Sequence, residues 1–190
     1  FTNNDDVDLF LNTFANDPRY PFANKEFDGL INHSLWLLDR VNSAKALARK
    51  LKEHPKFSQY KVIIAAGDGK IDDAEKVDKS FNEVVDAIAK YEKTITLSVG
   101  QLTTGVTIPE WSAVFMLCNV KSPSLYIQAT FRAQNPCKTR LGDGSYAQKD
   151  NAYVFDFDPA RTLNVMEQYA NNLYTDTADG KGTEAKRLEN

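Results

Sequence analysis

The sequence predicts a doubly wound α/β domain, a mainly parallel sheet with helices on both faces. Three observations carry that expectation. Five short apolar runs recur along the chain, amphipathic helical stretches separate most of them, and Gly or Pro signals stand at the junctions. Residues 33–39 (HSLWLLD) form a nearly continuous apolar run, the mark of a strand covered on both faces. In the helix after it, Val41, Ala44, Leu47, Ala48 and Leu51 recur at helical spacing. Asn42 or Ser43 is the expected cap, and His54-Pro55 ends it. A second strand over 62–66 (VIIAA) stops at Gly67-Asp68-Gly69. A helix then carries Val77, Phe81, Val84, Val85 and Ile88 on one stripe, opposite Lys76, Lys79, Glu83 and Asp86. Residues 94–99 (TITLSV) and 113–118 (AVFMLC) read as the third and fourth strands. Ser122-Pro123 is an N-cap followed by Pro at the first helical position, opening a helix to about Ala133. Residues 152–157 (AYVFDF) make the fifth strand, and Asp158-Pro159 opens a last helix with Leu163, Met166, Tyr169 and Leu173 on its expected inner face. Right-handed crossovers then wind the sheet doubly.

The organisation expected is a lead-in over residues 1–30, a single domain over 31–174 and a polar tail or linker over 175–190. The lead-in has one apolar cluster, Val7, Leu9, Phe10 and Phe14, and apolar residues nearly vanish in the tail. The first residue is Phe1, not Met, which suggests a piece of a longer polypeptide. The 190 residues are 42% apolar, enough for a sizeable core. Lys and Arg number 23 against 26 Asp and Glu, a net charge of −3, so binding of nucleic acid by bulk charge is disfavoured while a local basic groove stays open. No apolar run reaches transmembrane length and no leader is evident, so no membrane partner is expected. Two cysteines, Cys118 and Cys137, argue for a reducing, cytoplasmic setting without a disulfide framework.

Several chemistries fail on spacing. Gly180-Lys181-Gly182-Thr183 lacks the preceding strand and the spacing of a phosphate loop. Residues 64–75 imitate a calcium loop through Asp68, Gly69, Ile71, Asp72 and Glu75, but Ile64 and Ala66 stand where its first and third ligands belong, so the segment reads as a turn. His33 and His54 lack partners at ligand spacing. Asp156 and Asp158, two apart at a strand end, could hold a metal in a small α/β enzyme, or Asp158 could simply cap the last helix. No metal site is assigned.

The informative stretch is residues 94–136. A strand ends in Gly100-Gln101-Leu102-Thr103-Thr104-Gly105, and Pro109 precedes the next strand. Such loops after parallel strands are where open α/β sheets bind ligands, with small residues admitting phosphate and Thr hydroxyls donating to it. The next helix sets Gln128 and Arg132 four residues apart on one face, a pair able to grip a polyphosphate or a carboxylate.

Here the chain resembles the second motor domain of superfamily 2 helicases and translocases, the RecA-like half with motifs IV, V and VI, and within it the restriction-enzyme-associated (type I and type III) branch. LTTGVTIPEW is similar to motif V, SPSLYIQATFRAQNP to motif VI, LWLLDRVNSAKALARKL to motif IV, and VIIAAGDG to the strand and turn after it. The likeness spans about residues 31–158. It implies that Thr103 and Thr104 meet the sugar-phosphate backbone, that Gly105 permits close approach, and that Arg40, Asn42 and Ser43 hold another phosphate at a helix N-terminus. Gln128 and Arg132 would face ATP and Mg bound mainly by a preceding RecA-like domain, near Gly105 and Thr107, with Arg132 stabilising charge on the γ-phosphate. DNA, in preference to RNA, and nuclease or methyltransferase domains are the implied partners. The pattern departs at Thr107, where an acidic residue is common, at Phe131, usually Gly, and at Asn135, usually a second Arg whose part Arg140 could take. These departures keep open a non-catalytic binding module of the same fold.

Overall fold

Alternation along each strand decides the layers. The strands are β1 (His33–Leu37), β2 (Lys61–Ala66), β3 (Thr94–Val99), β4 (Ala113–Met116), the short β5 (Lys138–Arg140) and β6 (Tyr146–Gln148), and β7 (Tyr153–Asp156). The computed structural model describes residues 4–66, 74–103, 105–140 and 146–173. In it five strands form a parallel sheet in the order β2-β3-β1-β4-β7, and β5 and β6 form a separate antiparallel pair. Central β1 sets Trp36 beside Leu97 of β3 and Phe115 of β4. Trp36 thus faces one way while Leu35 and Leu37 face the other. The expected doubly wound α/β architecture is present, with helices over both faces.

One face is covered by α1 (Asn4–Asn16) and α2 (Val41–Glu53). Its core is aromatic: Phe14 of α1 stands 5.0 Å from Phe22, 5.8 Å from Trp36 and 5.6 Å from Phe115, ring centroid to ring centroid. The lead-in is therefore packed against the sheet, and its buried stripe is Val7, Leu11 and Phe14 at i, i+4 and i+7. Leu9, a member of the lead-in's apolar cluster, is exposed because it lies on the opposite side of that helix. Lys50 Nζ reaches Asp8 at 2.6 Å and ties the two helices together. In α2 Ala44, Leu47, Ala48 and Leu51 are buried as their spacing predicts. The cap differs from expectation. Arg40 is the N-cap, in extended conformation and without a side-chain cap bond, so Asn42 and Ser43 lie inside the first turn.

The other face is covered by α3 (Ala74–Lys90), α4 (Pro123–Thr130) and α5 (Pro159–Leu173). In α3 the predicted stripe faces the sheet through Val77, Phe81, Val84 and Ile88, with Ala87 buried beside them, while Val85 is exposed. Ser122 caps α4 through Leu125 N–H, as predicted, and a 3-10 turn over Phe131–Ala133 ends it. The largest correction concerns α5. Leu163 and Met166, expected inside, are 70% and 56% exposed, while Val165 is buried. Its sequence contains two helical stripes. Arg161 selects between them, because its guanidinium bonds both carboxylate oxygens of Asp156 at the end of β7 and so fixes the helix rotation.

Strands β3 and β4 are both parallel to β1, so residues 100–112 must return from the carboxyl edge of the sheet to its amino edge. They do so without a helix, burying Leu102, Val106, Ile108 and Trp111 on the second face. The β5–β6 hairpin, which the sequence did not announce, lies between the 3-10 turn and β7. No helix among the described residues is long and apolar enough to cross a membrane.

Candidate functional site

The returning segment is built on hydroxyls. On β3 the residues facing it, Thr94, Thr96 and Ser98, are all buried, while Ile95 and Leu97 face the aromatic side. Ser98 Oγ donates to the Gln101 carbonyl, and Ser80 Oγ of α3 donates to Gln101 Oε1 at 2.8 Å. These bonds hold the strand-to-loop turn, where Gly100, Leu102 and Gly105 have φ of 66°, 58° and 72°. Glycine tolerates that region at little cost, but Leu102 does not, and its side chain is kept there by full burial. No atom lies within 4 Å of a Cβ placed on Gly105, so conformation, not crowding, favours glycine at this point.

Thr103 is half-buried and its hydroxyl has no hydrogen bond among the described residues. Gly105 and Thr107 are exposed. Thr104 lies outside the described residues, as do the turn at 67–69, the rest of the calcium-like loop and the tail. The side chain of Arg140 is likewise undescribed.

Two basic side chains lock this segment to the turn after α4. Arg132 donates from Nε to the Gln128 carbonyl at 3.1 Å and from Nη1 to the Val106 carbonyl. Lys149 donates from Nζ to the carbonyls of Pro109 at 2.7 Å, Trp111 at 2.9 Å and Ala133 at 2.8 Å. An ammonium group has three donors, and here each meets a backbone oxygen. Burial pushes the Lys149 pKa down, with Cys137 and Glu110 nearby opposing. Asn135, standing where the resemblance puts a second arginine, donates to the Arg132 carbonyl at 3.3 Å and so serves the same turn. Gln128 is exposed on α4 and offers its side chain outward. Thus the structure brings Arg132, Gln128, Gly105 and Thr107 into one connected unit, through Val106.

Arg40, Asn42 and Ser43 sit apart from that unit, after β1. Arg40 is exposed, with its Nε 3.8 Å from Asp39. Because Val41 is already the first helical residue, backbone N–H groups of the first turn of α2 stand free toward this corner.

The two carboxylates weighed as metal ligands are otherwise engaged. Arg161 bonds Asp156 at Nε with 3.0 Å and again at Nη2, Asp158 N–H donates to Asp156 Oδ1 at 3.0 Å, and Arg161 N–H donates to Asp158 Oδ1 at 3.2 Å. Burial raises the Asp156 pKa, but the Arg161 guanidinium and the Asp158 amide outweigh it and hold the carboxyl below its ordinary value. Asp158 caps α5, the plainer of the two readings. Among the described residues no group of three His, Cys, Asp or Glu could hold a metal. His33 Nδ1 lies 3.0 Å from Thr94 Oγ1, and His54 Nε2 lies 3.3 Å from Asn12 Oδ1. Both cysteines are free.

Sequence reading missed Lys149 and Gln101. Each is a lone polar residue in an irregular stretch, and only the fold shows which carbonyls and hydroxyls they meet.

No protein-family profile matches the chain. A protein of Mycoplasma pneumoniae (strain ATCC 29342 / M129 / Subtype 1), carrying the name of the C-terminus of a type II restriction enzyme and methyltransferase, is 34% identical over 150 residues. The match covers 76% of this chain and 20% of that protein, so the chain spans a fifth of its curated relative's length. Among similar solved structures is the C-terminal domain of the DEAD-box protein Dbp5, with 18% identity, 80% of this chain and 77% of that one covered, and a TM-score of 0.48. Dbp5 of S. cerevisiae bound to RNA and ADP BeF3 has 16% identity over 77% of this chain and 33% of that one, with a TM-score of 0.48. The C-terminal part of the Fun30 ATPase domain has 15% identity over 98% of this chain and 48% of that one, with a TM-score of 0.46. The chain is similar, then, to a restriction-enzyme and methyltransferase polypeptide and to C-terminal domains of helicase and ATPase proteins.

Proposed function

We propose that this chain is the second motor domain of an ATP-dependent DNA helicase or translocase in a cytoplasmic restriction-modification system. One observation carries the reading. The segment expected to touch nucleic acid and the turn expected to face nucleotide are joined by Arg132 and Lys149, so movement at either is felt at the other. Such coupling is what a motor that alternates its grip requires. The 34% identity to a restriction-enzyme polypeptide supports the choice of system, and with it DNA and methyltransferase or nuclease domains as partners.

In this reading residues 31–174 are the motor domain, 1–30 a lead-in lying on one face of its sheet, and 175–190 a link to a further domain. Thr103, Thr104 and the corner at Arg40, Asn42 and Ser43 hold backbone phosphates. Gln128 and Arg132 project toward nucleotide held chiefly by a preceding domain, with Gly105 and Thr107 beside them. The donor set fits that share of the work: a guanidinium and an amide on one helical turn can meet phosphate oxygens. ATP with Mg supplies the phosphoryl chemistry. Arg132 supplies positive charge, on condition that its Nη1 leaves the Val106 carbonyl.

The test is nucleic-acid-stimulated ATP hydrolysis by the parent polypeptide, native against Arg132→Ala. Loss of about a hundredfold or more is expected for removing transition-state charge stabilisation. Undiminished turnover overturns the role of Arg132. Absence of turnover in the native protein, with salt-dependent DNA binding retained, establishes the alternative of a non-catalytic module, which the Asn135 contact to the turn favours.

A further inference from the structure

The helix that carries Gln128 is unlike its neighbours. α4 buries Tyr126, Ala129 and Thr130. Its outward side is the line Leu125, Gln128 and Phe131, each three residues from the next, with Phe131 opening the 3-10 turn. Leu125 is 50% exposed and Phe131 44%, and exposed Gln128 stands between them. No charged residue occurs from Ser122 to Phe131. The outward sides of other helices are charged, through Lys45, Arg49 and Lys52 on α2 and through Lys79, Glu83 and Asp86 on α3. One exposed leucine needs no explanation, but a helix apolar on both sides is one that packs on both sides. Absence of charge around an aromatic side chain is likewise the composition of an interface centre and not of a solvated face.

The neighbouring cation does not supply the missing charge. Arg132 folds back and donates to the carbonyls of Gln128 and Val106, which holds its guanidinium at the returning segment. Continuity says what covers the face. Gln128 is at its centre and Arg132 at its border, and the proposed function directs both at a nucleotide that a preceding motor domain grips from the other side. A ligand gripped by two domains has both surfaces against it, so the side chains flanking Gln128 lie against that domain as well. The matched stretch is 20% of the curated relative, a polypeptide with room for such a domain.

We propose that Leu125 and Phe131 are the contact through which this chain docks on the preceding motor domain, against an apolar, uncharged surface bordering that domain's nucleotide. The identity of the partner rests on the motor reading. The arrangement also makes docking conditional. Closing a dry surface over Leu125 and Phe131 buries the Gln128 amide between them, and an amide buried without partners opposes closure. Bound nucleotide supplies oxygens for that amide, so the face closes when nucleotide is present and reopens when it leaves. Leu125 and Phe131 contribute the apolar area, and Gln128 makes the closure depend on the ligand.

The experiment is maleimide labelling of the parent polypeptide carrying Leu125→Cys, with the rate read at that position by peptide mass spectrometry. The expected result is labelling slower by about tenfold or more when ADP–beryllium fluoride and Mg are bound, and a rate without nucleotide close to that of this chain alone. Lys45→Cys, on the charged outward side of α2, is the control and keeps its rate within about twofold. Equal labelling of Leu125→Cys with and without bound nucleotide overturns the proposal. So does slow labelling in this chain alone that depends on chain concentration, which assigns the face to a second copy. The docking contact and the motor reading fail separately. A parent that hydrolyses ATP while Leu125→Cys labels freely sinks the contact and spares the motor, whereas a parent that binds no nucleotide sinks both. A Phe131→Gln variant adds a functional readout. In the parent it is expected to raise the ATP concentration at half-maximal turnover by about fivefold at unchanged maximal turnover, where Arg132→Ala lowers turnover itself. In this chain alone it leaves the urea midpoint where it was, since the ring is already exposed. An unchanged half-saturation overturns the role of Phe131.

Discussion

The two faces of the sheet are made on different principles. On the α1–α2 side Phe14 is surrounded by the rings of Phe22, Trp36 and Phe115, and the one indole N–H there, on Trp36, is bonded to Ser34 Oγ at 2.9 Å. On the other side three buried polar atoms, Thr96 Oγ1, Gln101 Nε2 and Trp111 Nε1, have no partner among the described residues. That side also carries the left-handed Leu102 and an irregular segment where a crossover helix would be usual. Dry aromatic packing stabilises strongly and tolerates little change, whereas unpaired buried donors cost stability and leave neighbouring arrangements close in energy. The face that bears the candidate site is therefore the adjustable one, and the lead-in helix stabilises the face opposite to it.

Breaking the rigid side should have the largest effect. Phe14→Ala is expected to cost about 4 kcal/mol, the cavity cost of a fully buried ring, read as a lowered urea midpoint at unchanged slope. A loss under about 1 kcal/mol would mean that α1 is dispensable to the core. A middle-sized effect belongs to the clasp on the adjustable side. Lys149→Met strips three carbonyls of their donor and should cost about 2 kcal/mol. Hydrogen exchange should rise over residues 105–112 and 131–134 while α1 keeps its protection, and uniform acceleration everywhere would dissolve the contrast between the faces. The smallest change has the opposite sign. Thr96→Val replaces an unpartnered buried hydroxyl by a methyl group of the same shape, in the middle of a strand, and is expected to stabilise by about 1 kcal/mol. A thermal melt showing destabilisation instead would mean that the hydroxyl is satisfied, for instance by an internal water.

How much was legible beforehand depends on which forces act locally. The continuous apolar runs LWLL and VIIAA, the Ser122-Pro123 cap and the stop at His54-Pro55 all act within a few residues, and each element appeared where its pattern stood. Patterns with two solutions went astray. In α5 Leu163 and Met166 face solvent and Val165 the core, and the salt bridge from Arg161 to Asp156 at the end of β7 holds that rotation. In α3 the choice between Val85 and Ala87 depends on what the sheet offers opposite. For the candidate site, residue types and spacing pointed to the loop and to Arg132, but not to Lys149, whose role is defined by three carbonyls up to 40 residues away.

The sequence by itself determined the alternating α/β plan and where most of its strands and helices lie. These depend on periodicity, capping and turn chemistry, interactions between near neighbours in the chain. Only the tertiary structure decided that the lead-in packs on the sheet, that Arg132 is bonded to Val106, and that Lys149 clasps the loop. Those are contacts between residues far apart in sequence, and no local pattern encodes which distant carbonyl or charge a side chain will meet.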